Sequence, residues 1–139
     1  MPRPHWEHFE HQADIGIRGI GPTPADAFEQ ASLAVCAIIT DLDQIASDQE
    51  LTLQCEEPDL ELLLVDWLNT LIYTIATHRL LFSRFSIRID NGRLTANAWG
   101  EPIDVERHQP VVEIKGATYT ELAVYESDGE WIAQCVVDV

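Results

Sequence analysis

Phe85-Ser86-Ile87-Arg88-Ile89-Asp90-Asn91-Gly92-Arg93-Leu94-Thr95-Ala96-Asn97-Ala98 is the stretch that decides the fold. Apolar side chains fall on every second position, at Phe85, Ile87 and Ile89 and again at Leu94, Ala96 and Ala98. Period two is the mark of strands with one buried face. Asp90-Asn91-Gly92 between them is a tight hairpin signal. Upstream, the period changes. Leu60, Leu63, Leu64, Trp67, Leu68, Leu71, Ile72 and Ile75 form a wide helical stripe, which Pro58 is expected to open, with Asp59 and Glu61 near its positive end. A short strand is predicted around residues 51–55, after an acidic loop from Asp41 to Asp48. An earlier amphipathic helix is predicted over about residues 24–39, capped by Thr23 with Pro24 at its first position. Asp14-Ile15-Gly16-Ile17-Arg18-Gly19-Ile20 reads as the first clear strand. Downstream, strands are expected at Val111–Lys115, Tyr119–Glu126 and Trp131–Val139, the last two joined at Ser127-Asp128-Gly129. The class expected is α+β, two main helices packed on a mainly antiparallel β-sheet.

No repeat, low-complexity tract or linker divides the chain, so one domain over residues 1–139 is expected. At 46% hydrophobic residues, it can bury a core without staples. No stretch reaches the roughly 18 uninterrupted apolar residues of a membrane span, and Met1–Glu7 lacks the apolar run of a signal peptide. The expectation is a cytoplasmic protein with no membrane partner. Cys36, Cys55 and Cys135 are far apart and odd in number, which argues against a disulfide framework or zinc site and for reduced core thiols.

Eight basic residues stand against 24 acidic ones, a formal net charge of -16. Such a surface repels phosphate backbones, so no direct high-affinity binding of nucleic acid is expected. Cations and basic protein surfaces are the natural partners, although solubility or a salty habitat accounts for the overall charge equally well. Lys115 is the only lysine.

The two ends of the fold carry the candidate chemistry. If the strand after Asp14 and the strand ending at Asp138 lie side by side, these two carboxylates and the Val139 terminal carboxylate converge. Anionic groups held together repel one another unless a positive charge sits among them. An all-oxygen set suits calcium or magnesium better than zinc. The alternative is that both aspartates are solvated strand ends. His5, His8 and His11 would align on a helix, but in a strand successive members point to opposite faces. His5 and His8 are expected to be unconstrained, and His11 to help orient Asp14.

His11-Gln12-Ala13-Asp14-Ile15-Gly16-Ile17, Thr23 with Ala27-Phe28-Glu29-Gln30-Ala31, and Glu61-Leu62-Leu63-Leu64-Val65-Asp66-Trp67-Leu68-Asn69 follow one another in order. Gly100-Glu101-Pro102, His108, Val112-Glu113-Ile114-Lys115-Gly116-Ala117-Thr118-Tyr119 and Asp138-Val139 complete the series. From about residue 7 to the last, this pattern resembles the archease family, whose opening is normally His-Thr-Ala-Asp; Gln12, Ile114 and Gly116 depart from the commonest residues. The resemblance implies an archease-like two-layer sandwich that binds a divalent cation, calcium in the first instance and magnesium or manganese as alternatives, through Asp14, Asp138 and Val139. It further implies a non-catalytic cofactor of an RtcB-type GTP-dependent RNA ligase in tRNA splicing and RNA repair, one that accelerates guanylylation of the ligase and permits multiple turnover. Lys115 matches a basic residue that the family uses with its ligase, and reads equally as a surface lysine. His108 and Tyr119 also match, and are expected as a buried, hydrogen-bonded histidine and a packed tyrosine. A general chaperone or binding module is the next reading. A metal-dependent hydrolase with His11 as base comes last, because no nucleophile motif, phosphate-cradling glycine loop or second carboxylate pair accompanies the aspartates.

Overall fold

Asn91 and Gly92 both take left-handed backbone angles, with φ of 49° and 79°, and reverse the chain between β4 (Leu80–Asp90) and β5 (Arg93–Pro102) as the sequence requires. The computed structural model describes residues 3–139, so Met1-Pro2, part of the amino-terminal stretch considered above, lies outside the described residues. In chain order the other elements are β1 (His5–His11), β2 (Asp14–Gly21), α1 (Pro24–Ile39), β3 (Gln49–Glu56) and α2 (Leu60–His78) before the hairpin. After it come the short α3 (Val105–His108), β6 (Gly116–Ala117), β7 (Ala123–Ser127) and β8 (Glu130–Asp138).

The strands form two sheets, and every pairing is antiparallel. One has the order β1-β2-β8-β6, with β7 also on β8; the other has the order β3-β5-β4. In the second sheet the register aligns Leu51, Ala98 and Phe85, then Leu53, Ala96 and Ile87, then Cys55, Leu94 and Ile89. Those rows are the alternating apolar positions of the sequence, and they make the face that joins the core.

Both helices touch strands of both sheets, α1 chiefly β2 and β4, α2 chiefly β3 and β6. The fold is therefore the expected α+β class with two main helices, its strands divided between two sheets. Thr23 caps α1 by accepting from the Asp26 N–H at 3.1 Å. Asp59 caps α2 by accepting from the N–H groups of Glu61 and Leu62, so α2 begins at Leu60, past Pro58. The buried Trp67 indole donates to Ser32 Oγ at 2.8 Å, and Ser32 in turn donates to the Phe28 carbonyl at 2.7 Å, tying α2 to α1 without an orphaned polar group. Gly19 lets α1 lie directly on β2, since a Cβ there would sit 2.1 Å from the Ala27 carbonyl oxygen. By length and composition α2 could cross a bilayer, with a mean hydropathy of 1.3. Its packing on both sheets explains that apolarity, and it carries Glu61, Asp66 and Asn69.

Three segments differ from expectation. His5–His11 is a strand, closed onto β2 by the two-residue turn Gln12-Ala13, with Gln12 left-handed at φ 54°. Val111–Lys115 is not a strand. Its backbone is divided between two neighbours, Val111 N–H donating to the Ile39 carbonyl and Lys115 N–H to that of Asp138, both at 2.9 Å. Val112 and Ile114 pack on the core there, which gives the segment the alternation of a strand without a ladder. Tyr119–Leu122 is a turn, closed by Leu122 N–H on the Tyr119 carbonyl with Glu121 left-handed, and β7 starts only at Ala123.

Candidate functional site

The β2–β8 register pairs Ile15 with Val137 and Ile17 with Cys135, whose side chains enter the core. Continued by one position, it sets Asp14 opposite Asp138, on the alternate face and at the end of the sheet. Both aspartates are half-buried, and the Val139 N–H lies 3.5 Å from Asp14 Oδ1. The Val139 side chain packs against the core. β6 closes the other side of β8, pairing Gly116 with Asp138. Lys115, exposed, precedes that pair and donates its N–H to the Asp138 carbonyl at 2.9 Å.

Asn69 holds this arrangement from below. Its Oδ1 accepts the Ala117 N–H at 2.9 Å and its Nδ2 faces the Ala117 carbonyl at 3.4 Å, so α2 fixes β6, and β6 fixes the strand bearing Asp138. The sequence reading placed Asn69 in a motif without a role. The signal available was an amide at an otherwise apolar helical position, which needs a backbone partner when part-buried.

Among the described residues, no basic side chain pairs with Asp14 or Asp138, and no three His, Cys, Asp or Glu side chains cluster as a metal site. The donors at this end are two carboxylates with neighbouring main-chain oxygens. That is hard-oxygen chemistry, of the kind that suits calcium or magnesium better than zinc. His11 pairs with Asp14 across the β1–β2 hairpin. His8 does not behave as expected. Its Nε2 donates to the Ala34 carbonyl of α1 at 2.8 Å, so it anchors β1 to the helix. His5 Nδ1 meets the Arg3 carbonyl at 2.9 Å, away from Asp14.

His108 is buried and hydrogen-bonded, as expected. The Asp104 N–H donates to Nδ1 at 2.8 Å, so the ring proton is on Nε2, which donates to Glu101 at 3.1 Å. Glu101 also accepts from the Ala46 N–H and from Arg107 Nη1, the latter at 2.9 Å. The Arg107 hydrogen bond, ahead of the contributions of Ala46 and His108, holds the Glu101 carboxyl down at about 2. This cluster fixes α3 to the loop after α1, where Thr40 also donates to the His108 carbonyl. Tyr119, by contrast, is 69% exposed and does not pack. Burial pushes the thiols of Cys36 and Cys135 up to about 12, and Cys55 likewise, consistent with free, protonated side chains.

Comparison with known proteins bears on the fold and the family. The family model described as "Archease protein family (MTH1598/TM1083)" matches residues 6–139. Protein archease of Pyrococcus furiosus is 40% identical over 96% of this chain and 98% of its own length. That of Sulfolobus acidocaldarius is 37% identical with the same coverages. The solution structure of Methanobacterium thermoautotrophicum protein 1598 superposes with a TM-score of 0.85 at 32% identity, over 96% of this chain and 98% of that one. A crystal structure from Thermotoga maritima, titled an archease and possible chaperone, shares the fold at a TM-score of 0.60 and 21% identity, over 100% of this chain and 98% of that one. With a family model spanning nearly the whole sequence and full-length relatives this similar, the chain belongs to the archease family.

Proposed function

We propose that this chain is a non-catalytic, divalent-cation-binding cofactor of an RtcB-type GTP-dependent RNA ligase, acting in the cytoplasm in tRNA splicing or RNA repair. The observation that carries the reading is the pairing of β2 with β8, which puts Asp14 opposite Asp138 beside Val139 with no described basic side chain to neutralise them. Asp14, Asp138 and the Val139 terminal carboxylate are the proposed ligands, and calcium is the cation that an all-oxygen set suits first. Bound there, the cation would present positive charge from an otherwise acidic surface, the kind of charge that phosphate groups meet in a nucleotide-binding partner. The chain's own residues do the rest. Asn69 and β6 hold Asp138 in place, the Gln12 turn holds Asp14, and Lys115 stands exposed beside them as the proposed ligase contact.

The test is guanylylation of a purified RtcB-type ligase from the same source, with and without this protein. Acceleration at substoichiometric amounts is expected. Asp14→Ala and Asp138→Ala, each shown folded by circular dichroism, should lose it by on the order of tenfold or more. Equal stimulation by both variants would sink the cation-dependent reading. Suppressed aggregation of unrelated unfolded proteins, without ligase stimulation, would favour the chaperone reading.

A further inference from the structure

The carboxyl end of α2, the end of α1, the start of β4 and the 103–114 segment enclose an open cavity of about 220 Å³, walled by Ile39, Ile72, Ile75, Leu81, Ile103 and Ile114. Its only charged lining residues are Arg79 and Glu113. Pockets that enclose small-molecule ligands usually run to roughly 300–1,000 Å³ and carry several convergent polar groups. This one is smaller and has an apolar wall, a space for one or two side chains. The surface around it is apolar too. Val105, on the lining, is 63% exposed, and Val111, beside the lining residues Pro110 and Val112, is 73% exposed. Exposed Asp104 and Glu106 flank Val105 in the sequence and exposed Glu113 lines the cavity. Of the two exposed arginines here, Arg107 is paired with Glu101 and Asp104 and Arg79 lines the cavity, so acids prevail locally within a chain of net charge -16.

The 103–114 segment is unusual in having almost no ladder of its own. It is secured by Ile103 N–H on the Arg79 carbonyl, by Val111 N–H on the Ile39 carbonyl and by the Glu101–Arg107–His108 cluster. It then runs straight into Lys115, whose N–H bonds the Asp138 carbonyl at 2.9 Å. Ile114 on the cavity wall is therefore the chain neighbour of the residue that bonds the strand bearing Asp138.

We infer that the cavity is a docking socket that receives one large apolar side chain, such as Leu, Met or Phe, projecting from a basic surface of the partner ligase. This deepens, and rests on, the proposed ligase-cofactor role. The apolar wall supplies the burial that makes a single inserted residue dominate an interface. The acidic rim favours basic neighbours of that anchor and disfavours acidic ones. Arg79, at the left-handed cap position after α2, is the one basic residue on the lining and leaves the acids around it in the majority.

Ala76 lines the cavity from an exposed position on α2, so Ala76→Leu fills the socket without entering the core or lowering helix propensity. Val105→Glu, on the lip, is the second variant. Ligase guanylylation is measured against cofactor concentration, and calcium affinity by calorimetry. For both variants the half-maximal concentration should rise by about tenfold, the equivalent of about 1.4 kcal/mol, with the saturated rate and calcium affinity those of the parent. An unchanged half-maximal concentration in both, when the parent stimulates normally, overturns the socket and leaves the cofactor reading intact. A parent that does not stimulate overturns both. Loss of calcium affinity in Ala76→Leu overturns it by assigning the effect to the carboxylates. Self-association of the parent that Ala76→Leu abolishes, with stimulation unaltered, overturns it in favour of a second copy.

Discussion

Asp14 and Asp138 acquire their meaning from what stands beside them. Either carboxylate alone would be an ordinary strand end; the β2–β8 register continued by one position sets the two half-buried residues opposite each other, with the Val139 N–H 3.5 Å from Asp14 Oδ1, and on that placement the proposed anionic site rests. Asn69 is the residue to test against them, because it touches the strand that locks Asp138 without supplying an anion. Asn69→Ala should weaken calcium binding by about 10–100-fold, in the manner of outer groups that orient metal ligands. Its melting temperature should fall only modestly; calorimetric titration beside thermal unfolding separates the two. An equal calcium affinity would show that β6 needs no support from α2. The terminal carboxylate has its own test. If Val139 supplies its carboxylate as proposed, a chain carrying extra residues after it, in which that group is a neutral amide, should bind calcium more weakly than a chain ending at Val139; equal affinities would remove Val139 from the proposed ligands. Gly19 supplies a purely structural control. Its Cβ position is filled by the α1 backbone, so Gly19→Val should destabilise by about 1–3 kcal/mol or more in urea titration.

At the scale of elements, the segment from Glu101 to His108 behaves as a clip. Glu101 accepts from Arg107, Ala46 and His108, and removing it strands the buried His108 Nε2–H and the part-buried Ala46 N–H. Glu101→Gln should cost about 1–3 kcal/mol at neutral pH. Because the folded carboxyl sits near 2, below its ordinary 4.5, the stability it contributes is whole above about 4.5 and is lost as pH falls toward 2. Urea midpoints of the parent and Glu101→Gln at pH 7, 4 and 3 should therefore converge as pH falls; a constant gap would detach the effect from ionisation. Elements are also where sequence and structure part most clearly. Regular periods were legible: α1 from its Thr23 cap, the stripe of α2, and the β4–β5 hairpin from Asn91-Gly92. β1 was not read as a strand. Trp6 and His8 turn toward the helices while Glu7 and Phe9 cover the other face, so both faces are occupied and no clean alternation of polarity appears. Val111–Lys115 failed in the opposite sense. Its alternation is real, but it seats Val112 and Ile114 against helices, and periodicity alone does not distinguish a strand from an extended edge of core. Tyr119 was expected to pack because it is aromatic; the Tyr119–Leu122 turn leaves it outside. Asp14 and Asp138 were legible as a pair only because two strand ends had to meet, whereas Asn69 depends on a contact 48 residues away.

For the whole molecule, the net charge of -16 sets the terms of encounter. Attraction to the proposed basic partner would act over a screening length of about 8–10 Å at physiological salt, so the association rate should fall steeply as salt rises, while the dissociation rate changes little. Stopped-flow or biosensor measurement of both rates with the ligase checks this, and a salt-independent association rate would rule out electrostatic steering. β8 raises a different matter. It lies at the middle of its sheet, between β2 and β6, yet it comes after every other described strand in the sequence. Synthesis proceeds from the amino terminus at about 5–20 residues per second, so the β1–β2 hairpin emerges well before the strand that β2 must also pair with. Pairing across so long a loop is slow to form. A chain truncated before β8 would keep Asp14 but lack the strand whose register sets a residue opposite it, and would leave β2 with β1 as its only partner among the described strands.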